Sequence, residues 1–67
     1  MSGLDAICLD VLGDYVPMED VSVYEDRKSV FVWLPAEIPS MDVRRDWTAA
    51  IEGTEYQDVR LVIGVRP

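Results

Sequence analysis

The run Ser29-Val30-Phe31-Val32-Trp33-Leu34 constrains the fold more than any other stretch of the chain. β-Branched and aromatic residues fill nearly every position, and both alternating sides are apolar. A strand of this kind needs neighbours on both flanks and belongs at the centre of a sheet. Val21-Ser22-Val23-Tyr24 alternates just before it, and the polar stretch Glu25-Asp26-Arg27-Lys28 in between suits a hairpin. Val59-Arg60-Leu61-Val62-Ile63-Gly64-Val65 has a clear period of two and supplies a third strand.

Two helices complete the pattern. Leu4, Ile7, Cys8, Val11, Leu12 and Tyr15 make one helical stripe. Ser2 suits its N-cap with Asp5 three residues on, Gly13 suits a left-handed stop, and Pro17 blocks a restart. The second helix opens at Ser40 as N-cap with Asp42 near its positive end. Val43, Trp47, Ala50 and Ile51 share one face of it, and Gly53 ends it. Pro35 and Pro39 bracket the loop before it. The order α-β-β-α-β, with the central strand at 29–34, predicts a two-layer α+β domain over residues 1–67. Its three-stranded mixed sheet has strand order 1-2-3.

Strand alternation sorts the sheet into two faces. Val21, Val23, Val30, Val32, Leu34, Val59, Leu61, Ile63 and Val65 share one, the expected core. Ser22, Tyr24, Phe31, Trp33, Arg60, Val62, Gly64 and Arg66 share the other. If both helices pack on the aliphatic face, an aromatic surface stays open, and such patches mark contact sites. The alternative places the first helix over Phe31 and Trp33, making them core. The sequence leaves the two arrangements open.

A chain of 67 residues with one cysteine and no histidine has no internal disulfide and few zinc ligands to lean on. Its 49% hydrophobic content is that of a folded domain. No apolar run approaches the length of a membrane span, and Met1-Ser2-Gly3 lacks a basic signal-peptide start. These features point to a soluble, cytoplasmic protein without a membrane partner.

The formal net charge of −7 is unevenly placed. Residues 1–26 hold seven acids and no base, whereas the six acids and six bases of residues 27–67 cancel. An acidic field of this kind repels nucleic acid and attracts basic protein surfaces. It equally serves solubility.

Catalytic chemistry is poorly represented. Histidine is absent, Cys8 sits on an apolar helix stripe among acids, and the four glycines are scattered rather than gathered in a phosphate loop. Asp10-x-x-x-Asp14 is not a calcium loop. Ser at position 2 closes the N-terminal-proline route of small tautomerases. No cofactor, metal site or enzymatic activity is expected. Aromatics beside Arg60 and Arg66 resemble a single-strand stacking platform, but the charge has the wrong sign for phosphate. The element order resembles part of a type II KH domain, without its GXXG loop. Direct nucleic-acid binding is therefore not expected.

Two binding functions remain. The first is an acidic inhibitor that occupies a basic, nucleic-acid-handling surface of a target protein through Asp10, Asp14, Glu19, Asp20, Glu25 and Asp26. In size and acidity the chain is similar to the small inhibitors that phages make against restriction and CRISPR systems, a likeness of profile carried by no residue motif. An immunity or antitoxin-like partner of a basic toxin would use the same electrostatics. The second is self-association as a homodimer through Tyr24, Phe31, Trp33, Arg60 and Val62.

Overall fold

The computed structural model describes residues 3–66, so the expected cap at Ser2 lies outside the described residues. The elements are α1 (Gly3–Leu12), β1 (Val21–Tyr24), β2 (Ser29–Pro35), α2 (Ser40–Ile51) and β3 (Arg60–Arg66). Single 3-10 turns, Met18–Asp20 and Glu25–Arg27, flank β1. The sheet has the order β1-β2-β3, with β1 antiparallel and β3 parallel to the central β2. This is the mixed α+β sheet that the patterning predicts.

Both helices cover the same side. Leu4, Cys8 and Leu12 of α1 join Val43, Trp47 and Ile51 of α2 in one buried cluster with Val30, Val32, Leu34, Val59 and Leu61. The arrangement that puts α1 over Phe31 and Trp33 is thereby ruled out. Apolar residues three and four apart give each helix one buried stripe, and alternation gives the sheet one buried face. A single core between two layers is the result. Among the described residues, the Trp47 indole Nε1 is the one buried side-chain donor or acceptor without a partner.

Four local expectations are corrected. Gly13 does not adopt a left-handed conformation. The chain instead keeps turning, with Val16 N donating to Leu12 O at 3.0 Å. A Cβ on Gly13 would sit 2.3 Å from the Leu9 carbonyl oxygen, so glycine serves a close approach there. Tyr15 consequently lies past the end of α1. Ser40 is the first helical residue rather than the N-cap, a place taken by Pro39 with no side-chain cap bond. The fixed φ of proline suits that position, and the Pro39 carbonyl accepts from Asp42 N at 3.2 Å. Val65 belongs to the aliphatic face but is 56% exposed. Its register partner Leu34 is sealed, so helix cover at this end stops short of the edge strand.

Gly53 performs as expected: its φ of +77° lets α2 stop, and a Cβ there would touch nothing. At the hairpin, Lys28 takes a left-handed φ of 51° and donates its N–H to Glu25 O at 3.1 Å.

The open sheet face and its acidic edge

With both helices on one side, the other side of the sheet is bare. Strand register arranges it in rows. Tyr24, Ser29 and Arg60 lie abreast at one end, then Ser22, Phe31 and Val62, then Trp33 beside Gly64, and finally Pro35 beside Arg66. Tyr24 is 47%, Trp33 40% and Val62 41% exposed, while Phe31 is half-buried. All five residues expected to form the aromatic contact face, Arg60 included, therefore share this side.

The face is internally fixed. Phe31 and Trp33 meet edge-on, with ring centroids 5.1 Å apart and planes at 75°. Both rings lean over Gly64, where a Cβ would come within 2.8 Å of Trp33 and 2.9 Å of Phe31. The missing side chain of Gly64 is what lets the aromatics lie down on the neighbouring strand. The Arg66 guanidinium stands 5.6 Å from the Trp33 ring centroid and donates from Nη2 to Asp20 Oδ1 at 2.8 Å. One arginine thus reaches from β3 over the central strand to the turn that precedes β1.

The six acids singled out from the sequence lie along the other flank. Asp10 is on α1 and Asp14 follows it, and α1 packs against β1. Glu19 and Asp20 precede β1, and Glu25 and Asp26 follow it. Four extended residues separate these two pairs by roughly 16 Å. Five of the six are exposed. Asp20 is half-buried and engaged by Arg66. The acids therefore make an acidic edge along β1 and α1 rather than one compact patch. Among the described residues, no group of three or more His, Cys, Asp or Glu is placed to hold a metal ion.

The titratable groups that depart from ordinary behaviour lie away from this face. Burial, reinforced by the charge of Asp5, pushes the Cys8 thiol up to about 11. The Tyr15 hydroxyl donates to Asp46, which raises its pKa, and a hydrogen bond to Glu55 raises that of Tyr56. Each effect stabilises a neutral, protonated group. Cys8, at 0% exposure, is a packed small hydrophobe.

Sequence reasoning missed the Asp20–Arg66 pair because the partners are 46 residues apart. Only the aligned register brings them together. It likewise gave no sign of a groove between α2 and the edge of β3, lined by Arg44, Trp47, Ile51, Val59 and Leu61, among others. There Arg44 Nη1 donates to Leu61 O at 3.2 Å. No helix among the described residues is long and apolar enough to cross a membrane. In comparisons with known proteins, the chain matches no family model, no curated protein and no solved structure.

Proposed function

We propose that this protein is a non-enzymatic binding module that docks through its open sheet face onto a basic surface of another protein. The observation that carries the reading is the bare sheet face with exposed Tyr24, Trp33 and Val62, bordered by acids from the 26 residues that hold the whole net charge. Aromatic residues in a fixed arrangement anchor interfaces at little entropic loss. A one-sided acidic field steers encounter with a cationic partner and disfavours anionic ones.

Dense Lys/Arg surfaces are the ones proteins use to hold nucleic-acid phosphates. The specific reading is therefore a small inhibitor that occupies such a surface and keeps nucleic acid away from it. The protein would meet the target with Trp33 and Tyr24 at the centre of the contact and the acids of the β1 edge at its rim.

The test is a pull-down on the immobilised protein, eluted with a salt gradient and identified by mass. It is repeated with Asp10, Asp14, Glu19, Glu25 and Asp26 all changed to Lys. Asp20 is left in place because it holds Arg66. A basic nucleic-acid-handling protein should be retained by the native chain, released at raised salt and lost with the reversed variant. Unchanged retention by the reversed variant, with its circular dichroism intact, would sink the acidic reading.

A further inference from the structure

The sheet has two edges, and they differ. The β1 edge is four residues long and lined by acids. The β3 edge is seven residues long and carries no acid. Arg60 N donates to Lys28 O at 2.9 Å, and the parallel register runs from Ser29↔Arg60 to Pro35↔Arg66. Residues 60, 62, 64 and 66 therefore turn their backbone groups toward β2, and residues 61, 63 and 65 turn theirs outward. Of these outward groups only the Leu61 carbonyl has a partner among the described residues, the Arg44 guanidinium. β3 contains no lysine or proline, and its two charged side chains, Arg60 and Arg66, stand at its ends, which leaves the middle of the edge without the devices that usually blunt one.

We propose that the β3 edge forms the interface for a second copy of the chain, joined through antiparallel β3 strands into one six-stranded sheet. Charge argues for the occupant. Two copies of a chain with net charge −7 repel, but the excess sits in residues 1–26 on the far flank, whereas residues 27–67 sum to zero. The β3 edge is where two copies approach without stacking like charge. The register follows from the same reasoning. With Val62 on the twofold axis, Arg60 faces Gly64 of the second copy and Leu61 pairs with its Ile63, which requires the Arg44 guanidinium to release the Leu61 carbonyl. With Ile63 on the axis, Arg60 would face Arg66, a like-charge pair that destabilises a sheet. The axis stands perpendicular to the sheet, so both open faces point the same way, and the acidic edges lie at the two outer margins. This interface meets the proposed partner-binding face at Val62 and leaves Tyr24 and Trp33 free for it.

The test measures solution mass against concentration together with cysteine cross-linking. In the proposed register Val62 opposes itself at a non-hydrogen-bonded position, with Cα atoms about 4.5 Å apart, within disulfide range. Val62→Cys should oxidise to a covalent dimer. Tyr24→Cys, equally exposed on the opposite edge, should not. Val65→Lys, a charge added to the exposed edge, should weaken dimerisation by about tenfold or more, equivalent to ~1.4 kcal/mol, without changing the circular dichroism. Amide exchange at Ile63 and Val65 in the native chain should slow as concentration rises, a readout independent of any variant. A one-chain mass at every concentration would overturn the proposal, as would cross-linking of Tyr24→Cys as readily as Val62→Cys.

Discussion

Leu9 and Leu12 are chemically identical, stand three residues apart on α1, and differ in one respect. Leu12 is sealed at 0% exposure in the core, whereas Leu9 is 50% exposed. Truncating each to Ala therefore tests how α1 is seated. At Leu12 the change removes three buried carbons, worth about 2.4 kcal/mol at ~0.8 kcal/mol each. The cavity left behind raises the total to about 3–5 kcal/mol. At Leu9 about half of the transfer contribution applies, with no cavity, giving ~1 kcal/mol. The better helix propensity of Ala offsets part of that. A chain of this length has roughly 3–10 kcal/mol of stability at ordinary values per residue, so Leu12→Ala removes a large share. Urea unfolding followed by far-UV circular dichroism reads both numbers, and equal m-values would show that the two variants unfold from comparably compact states. The reasoning fails if Leu9→Ala destabilises as much as Leu12→Ala. That result would mean α1 presents a different face to the sheet.

Two further outcomes are expected. Because the Cys8 thiol in the folded protein is pushed up to about 11, it stays neutral where the unfolded thiol, near pH ~8.5, already ionises. Its contribution is complete below the unfolded value and is lost as pH rises toward the folded one. The urea midpoint should therefore fall between these values, and Cys8→Ala should flatten the slope; an identical slope in the variant would remove Cys8 as its cause. Arg66→Ala should destabilise by about 1 kcal/mol, combining a partly exposed ion pair with a cation–π contact. A double-mutant cycle with Asp20→Asn should show coupling that shrinks with salt, and zero coupling at low salt would mean that the pair contributes nothing.

Much of this architecture is legible in the sequence because it rests on local periodicity. The spacing of Val43, Trp47 and Ile51 identifies the buried side of α2, and alternation along residues 29–34 sorts the sheet into its two faces. What periodicity cannot convey is which surfaces meet across long separations. The stripe Leu4-Cys8-Leu12 shows that α1 buries one side, without saying against which face of the sheet. The answer depends on the packing of α1 against α2 and β1. The seating of Phe31 and Trp33 over Gly64 depends on register, which pairs Trp33 with Gly64 across thirty intervening positions. Gly13 and Ser40 show a subtler limit. Both lie at helix ends, as their residue types suggest, but each plays a different part there because Leu9 O and Pro39 set the local geometry. In the candidate site, the aromatic members were readable from alternation. The Arg66 brace that takes Asp20 out of the exposed set was not.

The burial of Cys8 makes the chain its own stopwatch. With no other cysteine present and the thiol sealed between helix and sheet, a reagent in solution can label the native protein only during moments when α1 lifts away. The labelling rate therefore counts those excursions directly, without any probe being introduced. In excess reagent it measures how often the two layers part, and in limiting reagent what fraction of molecules stand open at any instant. Slower labelling when a partner or a second copy binds would show that events on the bare face or at the sheet edge are felt on the far side of the core.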